Sequence, residues 1–154
     1  MKRSVTIPVI ALAQLALVGV AVAPQLSARV AGDTYLMKVA PLDPIDPFRG
    51  AYVALDYPGL QHDELDDGER GDVYVTLARD GDTWVAEEWT RDRPDDGPYL
   101  ACNDRSWQVR CGIESFFLPQ DEAAETEELL RDGAVADVHI DSRGNAAVVD
   151  VRAP

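Results

Sequence analysis

The chain has 154 residues, of which 28 are acidic and 14 basic, for a formal net charge of −14. That balance argues against nucleic acid, which demands a basic footprint, and against direct docking on anionic lipid. Every acid lies at or beyond Asp33, so the segment from there onward carries 28 acids against 11 bases (14 less Lys2, Arg3 and Arg29), a net −17.

The basic tip, residues 1–4, precedes the one long apolar run, VTIPVIALAQLALVGVAVA from Val5 to Ala23, which holds no charge. At about 1.5 Å per helical residue this run reaches roughly 28 Å, close to the hydrocarbon thickness of a bilayer. A basic start and an apolar core fit both a secretory signal and an uncleaved anchor. Ala21-Val22-Ala23 is an A-x-A pattern that favours cleavage, whereas Pro24 would then be the first mature residue, with fixed φ and no N–H. The run is also longer than an ordinary signal core, and Leu26, Ala28, Val30 and Ala31 extend it. The segment is therefore read as a retained anchor over residues 5–30, embedded through 5–23. Lys2 and Arg3 stay cytoplasmic, which sends the acidic domain of residues 31–154 outward.

That remainder is long enough for one modest core. Thr34–Val39 and Ala51–Tyr57 read as strands from their β-branched and aromatic residues. Between them Ala40–Phe48 holds three prolines and excludes helix. Residues 61–70 are polar, acidic and without apolar periodicity, a surface loop or a short helical turn. Asp72–Arg79 and Thr83–Thr90 alternate around Asp80-Gly81-Asp82, the clearest hairpin in the chain, with Trp84 and Trp89 expected on opposite faces. Tyr99–Cys102 and Trp107–Leu118 are the next strands, the latter broken at Gly112. Gln120–Asp132 reads as a helix stopped by Gly133. Ala134–Asp141 and Ala146–Val151 form a second hairpin around Ser142-Arg143-Gly144-Asn145. The expected fold is mostly β, antiparallel hairpins in a compact sandwich or small barrel, with one C-terminal-half helix and a single N-terminal transmembrane helix.

Cys102 and Cys111 stand nine positions apart in the outward part, where an oxidising compartment permits a disulfide. Neither His62 nor His139 has a local cysteine neighbour, and Asp63, Glu64, Asp66 and Asp67 lack the alternating spacing of a calcium loop. No metal and no cofactor are expected.

Arg49-Gly50-Ala51-Tyr52-Val53-Ala54-Leu55-Asp56-Tyr57 has the form R-G-x-Y-x-x-L-x-Y. Upstream stand Pro41, Asp43, Pro44, Asp46, Pro47 and Phe48, and later comes Gly112-Ile113-Glu114-Ser115-Phe116-Phe117-Leu118-Pro119. With the single N-terminal membrane helix, these segments resemble the GDYXXLXY family of uncharacterised bacterial membrane-anchored proteins over about Tyr35 to Val151. Ala51 stands where the family has Asp, and Gln120 where an acid is usual, which lowers the odds of a catalytic carboxylate pair. The resemblance implies an accessory role beside a multi-spanning integral membrane partner in the bacterial cytoplasmic (inner) membrane.

Asp43, Asp46, Arg49, Gly50, Tyr52, Leu55, Tyr57 and Glu114 form the candidate polar or binding cluster. Arg49 pairs bidentately with a carboxylate in a turn or, alternatively, holds a ligand carboxylate. Glu114 shares an alternating face with Phe116 and Leu118, so inward burial near Arg49 is its functional reading and an outward strand acid its plain one. No catalytic residue is assigned. The enzymatic alternative is an envelope hydrolase or serine–lysine peptidase, with Lys38 as base and Ser27, Ser106, Ser115 or Ser142 as nucleophile.

Overall fold

The computed structural model of the chain describes residues 3–41, 52–61, 69–106, 108–119, 126, 128–131 and 133–154. An α-helix, α1, runs from Arg3 to Ala31 through both Pro8 and Pro24. Its apolar length, Ile7–Ala31, suits a membrane crossing, and over its most apolar stretch no residue is buried by the rest of the chain. Leu12, Leu15, Leu17 and Val20 all stand exposed. A free helix with apolar side chains on every side is stable in hydrocarbon and not in water, which is what a single-pass anchor requires.

The rest is antiparallel β in two sheets, with a short helical piece at residues 128–131. The larger sheet has the order β6-β2-β1-β7-β8, from β1 (Asp33–Pro41), β2 (Tyr52–Asp56), β6 (Ser115–Phe117), β7 (Ala134–Ile140) and β8 (Ala146–Arg152). The smaller has the order β4-β3-β5, from β3 (Asp72–Asp80), β4 (Thr83–Thr90) and β5 (Tyr99–Asn103). Edge strands β6 and β8 also touch, so the larger sheet curls toward closure. Alternation places Val73, Val75 and Leu77 of β3 inward, in one core cluster with Met37 and Val39 of β1, while Lys38 between these two is exposed. Leu100, Ile113, Leu130 and Val138 complete one continuous core between the sheets. Tyr35 of β1 meets Trp84 of β4 edge to face, with ring centroids 5.0 Å apart.

Both expected hairpins form, and two local expectations change. Trp84 and Trp89 share a face: β4 carries a bulge where β3 steps from Thr76 opposite Glu88 to Leu77 opposite Ala86, so Glu87 has no cross-strand partner. One extra residue inverts the side-chain phase, and Trp84 (opposite Arg79) and Trp89 (opposite Val75) both pack against the core. The strand expected over 107–118 is instead two pieces. Arg110 makes an isolated bridge to Asn103, and pairing resumes only at Ser115. The cause is the disulfide between Cys102 and Cys111, whose Cα atoms lie 4.1 Å apart and pin residue 111 to β5 rather than to β2. Of the helix expected over 120–132, only 126 and 128–131 are described, and these are helical.

The join between helix and domain is a single residue. Gly32 follows Ala31 and precedes β1, and its N–H donates to the Ala28 carbonyl at 2.9 Å. A Cβ at this position would run into the Ala28 carbonyl oxygen and come within 2.9 Å of the Ile140 nitrogen. Only glycine lets the backbone pass this close.

Candidate functional site

The two segments that carry the sequence motif, 63 residues apart at Tyr52 and Ser115, form one antiparallel pair: Tyr52 lies opposite Phe117, Val53 opposite Phe116 and Ala54 opposite Ser115. The pairing extends one step beyond the strands, where the Leu55 N–H donates to the Glu114 carbonyl at 3.0 Å. Leu55 and Tyr57 share the inward face, at 2% and 8% exposure, and the Tyr57 hydroxyl donates to the Ile113 carbonyl at 2.9 Å. Burial, with the Glu114 carboxylate as a lesser cause, pushes the Tyr57 phenol far above its ordinary range. The hydroxyl therefore stays protonated and serves as a donor.

Glu114 is half-buried but not in the way its alternating face suggests. Its carboxylate turns back on its own loop, accepting from the Cys111 N–H and from the Gly112 N–H, the latter at 3.1 Å to each oxygen. Two backbone donors of a loop outside any ladder are thereby satisfied. The motif residues and the disulfide thus make one continuous brace from β2 through Tyr57, Ile113, Glu114 and Cys111 to Cys102 on β5. Removing the Tyr57 hydroxyl as Tyr57→Phe strands a buried carbonyl and is expected to cost about 1–2 kcal/mol in chemical denaturation, with the membrane attachment unchanged.

Asp43, Asp46, Arg49 and Gly50 lie outside the described residues, as do His62, the acids of residues 63–67 and Trp107. Tyr52 is described through its backbone pairing alone. Among the described residues, no group of three or more histidine, cysteine or acidic side chains is arranged to hold a metal ion. Lys38 is exposed on β1 opposite Val135. Of the serines weighed with it, Ser27 donates to Asp141 at 2.6 Å and Ser106 to the Gln108 carbonyl at 2.6 Å.

The foot of α1 was not singled out from sequence, and its side chains are hydrogen-bonded into the domain. Gln25 donates to the Gly112 carbonyl at 3.1 Å, Ser27 to Asp141, and Arg29 to the Val148 carbonyl at 3.1 Å. Ala28 and Ala147 are both fully buried, small enough to bring the helix onto the β7–β8 hairpin. Asp141 organises the hairpin turn as well, accepting from the Arg143 and Asn145 N–H groups at 2.8 and 3.0 Å and from the Asn145 amide at 2.9 Å. Burial works to raise its pKa, but hydrogen bonds from Asn145, Ser27 and the turn outweigh it and hold the carboxyl below its ordinary value. The signal for the turn, though not for the helix docked on it, was the spacing Asp141-x-Arg143-x-Asn145, an aspartate two and four residues ahead of the N–H groups it binds.

Two clefts flank this foot. One, about 370 Å³, lies between Pro24, Gln25, Asp72, Asn103, Arg110 and the disulfide. The other, about 510 Å³, is bounded by Ser27, Asp33, Tyr35, Tyr99 and Arg143. A second carboxylate cluster, also missed, braces the smaller sheet. Asp104, 2% exposed, accepts from Arg91 at 2.7 Å and from the Gly71 N–H at 2.6 Å, with Arg70 at 3.9 Å.

Compared with known proteins, the chain matches the family model described as GDYXXLXY protein over residues 14–151. No curated protein and no solved structure matches it.

Proposed function

Since the chain belongs to the GDYXXLXY family, we propose from that premise that it is a membrane-anchored accessory protein whose β-domain binds an integral membrane partner and performs no catalysis. The observation that carries this reading is the bare apolar helix whose foot is hydrogen-bonded into the domain, so that the domain is held at the membrane surface. Lys2 and Arg3 ahead of the apolar run favour an inside tip and an outward domain under the positive-inside rule. Pairing of Cys102 with Cys111 agrees with an oxidising, outward compartment. A bacterial cytoplasmic membrane is the setting that fits both. The motif residues serve this role by bracing the domain: Leu55, Tyr57 and Glu114 are spent on packing and on loop hydrogen bonds.

The test is carbonate extraction and external protease on intact spheroplasts, followed by mild detergent purification of the full chain. The protein is expected to stay in the membrane pellet, to lose its domain to external protease, and to purify with a multi-spanning protein near one-to-one. Recovery in the soluble fraction, or purification as a lone chain at every detergent tried, overturns the reading.

A further inference from the structure

If the domain serves an integral membrane partner, as proposed above, the middle of the apolar run bears on where that partner sits. Gln14 has nine residues of that run on either side, and it is the one amide side chain between Val5 and Ala23. It is exposed, with nothing of this chain over it. A primary amide at bilayer mid-depth has two donors and an acceptor with no water to meet them, and hydrogen bonding to a neighbouring transmembrane helix is the usual remedy. Gln14 is therefore a costly residue for an anchor that merely tethers.

The direction in which Gln14 points is fixed by helical spacing. Ala21, Gln25 and Ala28 follow it at 7, 11 and 14 residues, close to two, three and four turns of about 3.6 residues, so all four share one face. That face is the one the domain covers at the foot, through fully buried Ala28 and the bond from Gln25 to Gly112. The opposite face at the foot is open, with Val30 at 78% exposure. The domain therefore overhangs the side of the helix that carries Gln14.

We infer that the α1 face bearing Gln14 and Ala21 is the docking surface for a transmembrane helix of the partner, one that offers a hydrogen-bonding group at mid-membrane. A helix seated there ends directly beneath the overhanging domain, whose two clefts open beside the foot of α1. A second copy of this chain fits badly. Two parallel copies joined through Gln14 would drive each domain into the space where the other's helix leaves the membrane. A partner helix that turns back at the membrane surface meets no such obstruction.

The experiment places a photo-reactive phenylalanine analogue at single positions of the full chain in native membranes. Positions 11, 18 and 21 sample the Gln14 face, and 12, 19 and 23 the opposite one. Crosslinks to one membrane protein are expected from the first set and not from the second. Gln14→Leu should lower their yield roughly three- to tenfold, with Gln14→Asn retaining part of it. Equal yields from both sets, crosslinks from 12, 19 and 23 alone, or a crosslinked pair of this chain would overturn the assignment. Gln14→Leu with undiminished partner recovery would also overturn it while leaving the accessory reading intact. The absence of any co-purifying or crosslinked partner for the wild-type chain would remove both.

Discussion

Replacing Asp104 with alanine is expected to lower the thermal midpoint of the detergent-solubilised protein by on the order of 10 °C. The substitution leaves the Arg91 guanidinium beside a vacated, buried site and removes the acceptor of the Gly71 N–H. Losing one partner of a buried pair is worse than never having made it, because the survivor keeps its desolvation cost. Asp104→Asn keeps an oxygen for Gly71 and loses the charge, so its effect should be smaller. Asp95→Asn, at an exposed position, should change nothing measurable. The pH dependence has a definite sign. The hydrogen bond from Arg91, then that from the Gly71 N–H, hold the Asp104 carboxyl well below the ordinary carboxylate range. A carboxyl depressed in the folded state stabilises fully above its unfolded pKa of about 3.9 and loses that contribution as pH falls further. The wild-type midpoint should therefore drop below about pH 4 more steeply than that of Asp104→Asn, which scanning calorimetry across pH 2.5–6 would read. Parallel curves for the two proteins would count against the ion pair.

Gly144→Ala is expected to destabilise by roughly 3 kcal/mol or more, seen as a lower urea midpoint at unchanged slope. Gly144 has φ +80°, in the left-handed region that costs an L-residue about 1–2 kcal/mol. An added Cβ would also meet the Tyr99 ring at 2.6 Å and the Ala101 nitrogen at 2.8 Å. The position is a seam between the two sheets. The Ala101 N–H of β5 donates to the Gly144 carbonyl at 2.9 Å, and the Tyr99 hydroxyl donates to the Ser142 carbonyl at 3.2 Å. Neither the backbone nor the ring can retreat without breaking these bonds. A midpoint within experimental error of wild type would show that the seam yields more easily than the close contacts imply.

Strand positions were legible in the sequence wherever alternation was clean, as in Val73, Val75 and Leu77 against Thr83–Thr90. The facing of Trp84 and Trp89 was not, because a bulge is a one-residue event that leaves composition and periodicity almost untouched. The 107–118 segment misled for a related reason: Phe116 and Phe117 do enter a strand, but the disulfide diverts the residues before them. The common facing of Leu55 and Tyr57 was legible in their two-residue spacing. Glu114 was not, since a carboxylate that curls back to its own loop obeys no strand alternation. The foot of α1 escaped notice because Gln25, Ser27 and Arg29 look like the polar fringe of an anchor. Their role depends on partners more than 80 positions away, at Gly112, Asp141 and Val148.

The glycine joint at the end of α1 also limits how the domain can move relative to the helix. With one residue of slack, the β-domain has almost no tether on which to search laterally or rise from the bilayer. Any tilt or axial rotation that a neighbour imposes on the anchor must swing the whole globule as a crank swings its handle. Inserting a flexible Gly-Ser spacer after Ala31 would lengthen the covalent joint but leave the bonds of Gln25, Ser27 and Arg29 to the domain in place, so helix and domain would still move together.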